Sequence, residues 1–336
     1  MASVREIAKQ VGLSPTTVSR ALNNHPRVAP GVRKRILDAA NKSRYVAAVG
    51  KRSTTNIAFC YTGQPSLGSP FDAALMDGMS QRMSELGFDL VVFEAQRARL
   101  DHESFTQMFL RKGIRGAVLR TDANTHHVCE QIAGEGFPAV LVGDRSDDEA
   151  VSYICCESRT GSREAVAYLI GLGHCRIAFC TNIVETADHA DRLAGYRDAL
   201  QEGGIEFDPF LVLRQPARLD GGRQAARRLL AMSPRPTAIY LADPLAAVGL
   251  LNEVQSLGHS VPGELSVVGF DDGDLRHITF PSLSAVVQNA TEIGKEAFEV
   301  LQLLLDGTGP LRSVRRVLPT LFEVHKSSGM PDASRH

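Results

Sequence analysis

The stretch "SPTTVSRALNN", residues 14–24, has the pattern of a short helix. Ser14 can cap the helix, and Pro15 suits its first position, where a missing N–H costs little. At about 100° per residue, the apolar side chains fall on one face of the helix. The opposite face carries three polar side chains, Thr16, Arg20 and Asn23. The segment therefore predicts a helix with one face in a core and the other free for contact.

Two further helices are predicted around this one. Ser3 and Glu6 have the spacing of a capping box, which indicates a helix over residues 4–11. A tight turn at residues 12–13 then leads into the quoted helix. A third helix is predicted over residues 30–44, and the apolar faces of all three predict a small three-helix core.

The N-terminal segment is strongly basic although the whole chain is nearly neutral. Residues 1–55 contain eleven lysines and arginines against two acids, a net charge of +9, so the other 281 residues carry −10. Such asymmetry predicts a small module that meets phosphates, joined to a larger body that does not.

The quoted helix has the side chains of a DNA-reading helix. Short side chains at its beginning let the backbone approach closely, and Arg20 can present its planar fork to guanine or to a phosphate. A helix that enters the DNA major groove has this arrangement. The alternative is a basic helical hairpin whose charges are merely solvated. The coincidence of caps, turn length, apolar face and charge favours DNA binding.

The run "VREIAKQVGLSPTTVSRALNNHPRVAPGVRKRILDAANKSRY", residues 4–45, resembles the DNA-binding domain of the lactose-repressor and galactose-repressor (LacI/GalR) family of bacterial transcription factors. Its T-V-S-R core, residues 17–20, is the most specific part. The resemblance implies a helix-turn-helix domain over residues 1–45. It implies that Pro15, Thr16 and Arg20 read bases. It also implies that phosphate contacts or the cap of the helix are made by Ser14, Thr17, Ser19 and Asn23. Arg33, in the R-K-R run of the third helix, is expected near the DNA backbone.

The linker over residues 46–56 departs from the family pattern. The stretch "YVAAVGKRSTTNIAF" has no proline or asparagine after Tyr45, contains Gly50, and has no leucine before the first strand. The hinge helix of the family is therefore not predicted for this chain, and its linker is a short, atypical hinge. Two interpretations stay open: Lys51 and Arg52 contact phosphates from a short connector, or the segment is only a tether.

From residue 57 to residue 327, short apolar runs alternate with amphipathic stretches. Runs such as "NIAFCY" and "RIAFCTN" are typical of buried parallel strands. The helical candidates lie near residues 71–86, 99–112, 125–135, 160–172, 190–202, 220–232 and 244–257. Two such sets predict an α/β body of two doubly wound parallel-sheet subdomains.

Polar residues cluster where the predicted strands end. They are Arg120, Asp144, Asp243, Asp271 and Asp272. In doubly wound sheets, ligands bind outside the carboxyl ends of the strands. A single aspartate there is more often a helix cap than a ligand, but several that face one cleft predict a binding site between the subdomains.

The stretches "YLIGLGHCRIAF", "DRLAGYRDAL", "SVVGFDD" and "LPTLFEV" resemble the periplasmic-binding-protein-like sensor domain of the same family. The resemblance implies three crossings between the subdomains. The first subdomain then comprises about residues 57–156 and 287–316, the second about 157–286 and 317–327, and a tail follows over 328–336. The resemblance also implies ligand contacts from Ser69, Phe71, Asp72, Arg120, Arg192 and Asp271.

These residues predict a sugar or sugar derivative as the effector, since carboxylates accept hydrogen bonds from hydroxyls and arginine donates a planar fork. Two arginines that face one cleft would suit an anionic effector, such as a sugar acid or a sugar phosphate. Arg120 could instead pair with Asp144 or Asp72. Asp243 is either a further contact or only a helix cap.

Motifs for nucleotide, metal or hydrolytic chemistry are missing from the sequence: no GxGxxG follows a strand, and GxxxxGK[ST], HExxH and GxSxG do not occur. The six cysteines form no CxxC pair, which predicts reduced thiols. No secretory h-region and no run of 18 apolar residues is present. We therefore expect a cytoplasmic protein, not bound to a membrane, that needs no metal or cofactor and is not an enzyme.

The leading hypothesis is a ligand-responsive transcription factor that binds pseudopalindromic operator DNA as a homodimer, and we expect it to act as a repressor. One small module buries too little surface for strong specific binding, and two linked modules raise the affinity. Closure of the cleft on the effector would shift the two heads, which couples the two binding events reciprocally. The alternatives are a sugar-acting enzyme with a DNA-binding head, which requires a phosphate-cradling glycine loop, and a transporter's solute-binding protein, which requires a signal peptide.

Overall fold

The structure, a computed structural model, describes residues 4–22, 27–42, 54–307 and 313–332. The chain begins with a helical head made of α1 (Val4–Val11), α2 (Pro15–Leu22) and α3 (Pro30–Lys42). The centre of its core consists of fully buried side chains, among them Ile7, Val18, Ile36 and Ala40. The predicted helix-turn-helix head is thus confirmed, while the end of the third helix that the sequence placed near Arg44 lies outside the described residues.

The body alternates strands with helices. Its strands are β1 (Asn56–Tyr61), β2 (Asp89–Glu94), β3 (Gly116–Arg120), β4 (Ala139–Val142), β5 (Ser152–Cys156), β6 (Ile177–Asn182), β7 (Val212–Gln215), β8 (Ala238–Leu241), β9 (Ser266–Asp271), β10 (Ser284–Val287), β11 (Arg315–Leu318) and β12 (Leu321–Glu323). Its helices are α4 (Pro70–Leu86), α5 (Ala95–Ala98), α6 (Phe105–Arg111), α7 (His126–Gly134), α8 (Ser158–Gly171), α9 (Ala187–Glu202), α10 (Leu219–Leu230), α11 (Pro244–Ser256), α12 (Leu275–Ile278) and α13 (Ala290–Asp306), with a 3-10 turn at Pro209–Leu211.

Within the described ranges the strands form two six-stranded sheets. The first has the order β11-β5-β4-β3-β1-β2 and the second the order β12-β10-β9-β8-β6-β7. Neighbouring strands are parallel except for the short edge strand β12, which runs antiparallel to β10. The predicted pair of doubly wound sheets is confirmed. We call the first sheet with its helices the first lobe and the second sheet with its helices the second lobe.

Both faces of each sheet are covered, as the continuous apolar strands require. In β1, Ile57 and Phe59 pack with α4 and α13 on one face, while Ala58 and Cys60 pack with α6 on the other. All four side chains are fully buried. No helix in the described part of the chain is both long and apolar enough to cross a membrane.

The chain passes between the lobes after β5, after β10 and after β11. The last passage lies later than the sequence suggested, because Val317 and Leu318 still pair with Cys155 and Cys156 of the first sheet. The sequence had assigned residues 317–327 to the second subdomain. The hydrogen-bonded register of β11 overrides that boundary, and the second lobe resumes only at β12.

The single helix predicted over residues 99–112 is wrong. α5 ends at Ala98, before this range, and only α6 lies within it, after a non-helical segment that contains a turn. Ser104 and Gln107 form a capping box that starts α6 anew, and the Glu103 carboxylate accepts a hydrogen bond from the Leu100 amide at 3.0 Å in the turn. These local polar contacts compete with a continuous helix and interrupt it.

Two glycines let α4 and α13 touch backbone to backbone in the first lobe. A Cβ on Gly294 would lie 2.1 Å from the Leu75 carbonyl oxygen, and a Cβ on Gly78 would lie 1.9 Å from the Thr291 carbonyl oxygen. Neither backbone oxygen can move aside without separating the helices. The close crossing therefore depends on having no side chain at either position.

Gly294→Ala is expected to lower the free energy of unfolding by about 1–3 kcal/mol, because the added methyl group overpacks this contact. Urea unfolding of the full chain measures the change. Gly134→Ala is the matched control, since Gly134 is also helical and nothing lies within 4 Å of its added Cβ. A Gly294→Ala protein as stable as the control would show that the helices separate at no cost.

Candidate functional site

One face of α2 is buried and the other is exposed, as a helix that docks on another molecule requires. Val18 and Ala21 lie in the head's core. On the other side, Pro15, Thr16 and Arg20 are exposed. The polar face of α2 is therefore exposed. The contact of each of these residues with base edges stays a prediction.

The beginning of α2 is fixed by its own polar side chains. The Thr17 amide donates a hydrogen bond to Ser14 Oγ at 3.2 Å, and the two hydroxyl oxygens lie 2.9 Å apart. Thr17 and Ser19 are half-buried, and Ser14 is exposed. These contacts set the orientation in which α2 presents its polar face.

The remaining predicted DNA contacts are described only in part. Arg33 is half-buried on α3, whereas its neighbour Arg35 donates to the Val11 carbonyl at 3.1 Å and joins α3 to α1. Asn23, Lys51 and Arg52 lie outside the described residues, as does most of the linker. Their predicted roles stay predictions.

The cleft lies between the carboxyl ends of the two sheets, and its sides touch at the rim. The Ala123 amide of the first lobe donates to the Glu185 carbonyl of the second at 3.2 Å. Arg145 and Asp191 form an ion pair from one lobe to the other. These contacts hold the lobes close together, so side chains from both sheets face one space.

Arg120 and Asp72 form a buried network on the first lobe's side. Arg120 Nε donates to Asp72 Oδ1 at 2.7 Å, and Arg120 Nη1 donates to the Val142 carbonyl at 2.9 Å. Tyr61 donates to Asp72 Oδ2 at 2.9 Å, and Ser66 donates to the same oxygen. Of the pairings left open for Arg120, the structure has the one with Asp72. The Asp72 carboxylate positions Arg120 in this way, and its own contact with a ligand stays a prediction.

Phe71 and Ser69, at the beginning of α4, flank this network. The Arg120 guanidinium lies over the Phe71 ring, 4.8 Å from its centre. Gly143, in the left-handed conformation with φ 66°, passes so close that a Cβ there would lie 2.7 Å from Arg120 Nη1. Ser69 is half-buried, and its hydroxyl makes no cap hydrogen bond. The wall is tightly packed, and the Ser69 hydroxyl stays a predicted ligand contact.

Arg192, on α9, is the central cation on the second lobe's side. Its Nη1 donates to the Ala242 carbonyl at 2.6 Å, and its guanidinium lies 3.5 Å from the centre of the Phe270 ring. Its Nη2 is 3.8 Å from Asp188 Oδ2. Nε is buried and has no acceptor among the described residues. Arg192 is thus held rigidly with one donor unpaired, which suits a ligand oxygen.

The two adjacent aspartates after β9 have different roles. Asp271, the predicted ligand contact, accepts hydrogen bonds from the Gly273 amide at 3.3 Å and from Arg276 at 3.0 and 3.2 Å. Both of its oxygens therefore hold the following loop, and its contact with a ligand stays a prediction. Asp272 instead accepts a hydrogen bond from Gln288 and is influenced by the charge of Arg192. Burial raises the pKa of Asp272 to about 6.

Asp272→Asn is expected to stabilise the ligand-free protein at pH 8 by up to about 3 kcal/mol, since about two pKa units correspond to that energy. The ordinary pKa is 3.8, so the folded protein holds this proton more tightly than the unfolded chain. Stability from the neutral form is present below pH 4 and is lost as the pH rises through 6. The gain should therefore nearly vanish at pH 4 in urea unfolding, whereas Asp274→Asn, at a side chain 90% exposed, should give no pH-dependent gain. A gain that is equal at both pH values would contradict the assignment.

Three cleft residues were not found from the sequence. They are Asp188, His189 and Gln288. The spacing of Asp188 and Arg192, four residues apart on one helix, was the available signal. His189 Nε2 lies 3.0 Å from Asp243 Oδ1, and Asp243, at the N-cap of α11, makes no side-chain cap hydrogen bond. Asp243 is therefore a partner of His189 rather than a side-chain cap.

Known proteins resemble this chain over nearly its whole length. Residues 3–47 match the family described as "Bacterial regulatory proteins, lacI family", and residues 166–328 match "Periplasmic binding protein-like domain". The "HTH-type transcriptional regulator DegA" of Bacillus subtilis (strain 168) is 28% identical over 88% of this chain and 88% of its own length. The "HTH-type transcriptional repressor PurR" of Vibrio atlanticus (strain LGP32) is 26% identical over 90% of this chain and 91% of its own. The solved structure "transcriptional regulator CelR-cellobiose complex" has a TM-score of 0.70 at 27% identity and covers 97% of this chain and 100% of that one.

Proposed function

We propose that this chain, which belongs to the lacI family of bacterial regulatory proteins and is a DNA-binding transcriptional regulator, acts as a repressor. In this proposal a sugar or sugar derivative controls its affinity for operator DNA. The observation that carries the proposal is the combination of an exposed polar face on α2 with a separate polar cleft between two lobes.

The head reads DNA through α2 in this proposal. Pro15 and Thr16 allow the backbone to come close to the groove, and Arg20 reaches a guanine edge. Ser14, Thr17, Ser19 and Asn23 contact phosphates or hold the helix start, and Arg33 lies near the DNA backbone. Lys51 and Arg52 either add phosphate contacts from the linker or belong to a plain tether.

The protein acts as a homodimer in this proposal, because one eight-residue helix reads too few bases for selective binding. An exposed apolar area on the second lobe supports this. Ile278 and Phe280 are 76% and 85% exposed. The ion pair of Arg276 with Glu323 ties their segment to the edge of the sheet, where Leu321 is also exposed. Exposed apolar clusters of this kind commonly mark contacts between subunits.

The effector binds between the lobes in this proposal. Its contacts are those expected from the sequence together with Asp272: Ser69, Phe71, Asp72 and Arg120 from the first lobe, and Arg192, Asp271 and Asp272 from the second. The solved CelR structure is a complex with cellobiose, which supports a sugar-like ligand for this chain. Because side chains from both lobes hold the ligand, it stabilises one arrangement of the lobes, and its binding is reciprocally coupled to that of the operator.

Selection of bound fragments from genomic DNA, followed by fluorescence anisotropy at two salt concentrations, tests the proposal. We expect binding to two-fold-related half-sites that exceeds binding to scrambled DNA by at least about 10³-fold. At least one sugar compound should change the operator affinity by about 5-fold or more. Binding without sequence preference would contradict the regulator assignment, and selective binding that no sugar compound alters would contradict effector control.

A further inference from the structure

The charged side chains around the cleft pair unevenly. Four pairs are made within it: Arg120 with Asp72 at 2.7 Å, Arg276 with Asp271 at 3.0 Å, His189 with Asp243 at 3.0 Å, and Arg145 with Asp191. Among the described residues there, these pairs leave three further carboxylates, those of Asp144, Asp188 and Asp272, and one further guanidinium, that of Arg192. The cleft therefore has more carboxylates than guanidinium groups although four arginines line it.

These three carboxylates are buried and accept few hydrogen bonds. Asp144, Asp188 and Asp272 are 4%, 8% and 6% exposed. Among the residues that the structure describes, the Arg145 amide alone donates to Asp144, at 2.8 Å, and Gln288 alone donates to Asp272. Asp188 accepts no hydrogen bond from any residue that the structure describes, and its nearest cation, Arg192, is 3.8 Å away. Buried carboxylates normally take several donors, so these oxygens are suited to donors from a bound molecule.

The three carboxylates belong to one electrostatic cluster. Burial raises the pKa of Asp188, the charges of Arg192, His189 and Arg120 act to lower it, and the charge of Asp144 raises it further. Burial also raises the pKa of Cys156, as do the charges of Asp188 and Asp272, while Arg192 acts to lower it. Cys156 ends β5, at the carboxyl edge of the first sheet. The negative charges therefore converge on one region between the lobes.

An independent feature also indicates a ligand with hydrogen-bond donors. Gln288 is 2% exposed, and its Oε1 is buried without a donor among the described residues. Because its Nε2 donates to Asp272, this oxygen is fixed as an acceptor. Arg192 Nε, in contrast, is an unpaired donor. Together with the sparsely bonded carboxylates of the preceding paragraphs, the acceptors outnumber this single donor, so the site suits a ligand that supplies mainly N–H and O–H groups.

We propose that the effector is a cationic sugar, of the amino-sugar class, whose ammonium group binds among Asp144, Asp188 and Asp272 while a hydroxyl oxygen accepts from Arg192 Nε. An ammonium group supplies three donors and one positive charge, which matches the unpaired acceptors and the charge excess. A sugar phosphate or sugar acid would instead add negative charge. Arg120 and Arg192, which could attract it, already face carboxylates. This inference rests on the proposed function and narrows its effector class.

Isothermal titration of the full chain at pH 7 with a matched panel of sugars tests the class. The panel contains 2-, 3-, 4- and 6-amino-deoxyglucose and the corresponding galactose derivatives, each beside its parent sugar, its N-acetyl form and a phosphate or acid form. At least one amino sugar should bind about tenfold or more tighter than all its counterparts, a factor that corresponds to one partly buried charge pair. Tightest binding by a neutral or anionic sugar, or no saturable binding by any amine, would overturn the inference.

Two variants of α9 test the site. Asp188→Asn should reduce the preference for the amine over the parent sugar about tenfold, since it removes one of the charges that face the ammonium group. Asp198→Asn removes the same charge from the same helix at a surface pair with Arg159 and should leave the preference unchanged. Equal preferences in the two variants would overturn the assignment of the ammonium site. An operator response to neutral or anionic sugars alone would overturn only this inference, whereas no response to any sugar would contradict the proposed function itself.

Discussion

Arg20→Ala is expected to remove most of the sequence-selective DNA binding while the head stays folded. The core of the head is made by the opposite face of α2, where Val18 is fully buried, whereas Arg20 is exposed. A bidentate arginine–guanine contact contributes about 1–3 kcal/mol of discrimination. In a dimer the loss occurs at both half-sites, so selective affinity should fall by roughly 30-fold to 10⁴-fold.

Fluorescence anisotropy with the operator and with scrambled DNA measures this loss, and circular dichroism with sedimentation verifies fold and assembly. Arg163→Ala is the matched control, because Arg163 forms an exposed pair with Glu202 on the body and its loss changes the net charge equally. The Arg20 variant should lose far more affinity for the operator than for scrambled DNA, whereas the control should lose neither. A folded, dimeric Arg20→Ala protein that still discriminates fully would refute the role of α2.

The head could be predicted from the sequence because its signals are local. Ser14 and Pro15 mark the beginning of α2, and the periodicity of Val18 and Ala21 marks its buried face. Each of these signals acts over fewer than eight residues, and the structure has the same helix starts. Likewise, the capping box of Ser104 and Gln107 could have shown that α6 begins separately.

The cleft could be predicted only in outline. The rule that ligands bind at the carboxyl ends of parallel strands indicated its position, but not which carboxylate holds which cation. Arg120 and Asp72 are 48 residues apart, and Arg120 has Asp72 rather than Asp144 as its partner. Asp271 and Asp272 are adjacent in sequence and have different partners. Such choices depend on three-dimensional packing, which a single sequence does not display.

The Asp72 network has a second consequence, for stability. Its carboxylate is fully buried, and removal of one partner leaves the others without compensation. Tyr61 is 2% exposed, and the Arg120 side chain is 14% exposed. Breaking a buried ion pair by removal of one partner typically costs about 3–5 kcal/mol, because the remaining charge stays desolvated.

Asp72→Ala is therefore expected to lower the free energy of unfolding of the ligand-free protein by about 3–5 kcal/mol in urea titration. Asp77→Ala, on the same helix but exposed and bonded only to Gln81, should cost less than about 0.5 kcal/mol. The double variant Asp72→Ala with Arg120→Met should recover part of the loss, because it removes the uncompensated guanidinium together with its partner. Two results would contradict this expectation. One is a loss of unfolding free energy below about 1 kcal/mol in Asp72→Ala, and the other is a double variant that loses more than the two single variants together. Either would show that water or another carboxylate replaces Asp72 beside Arg120.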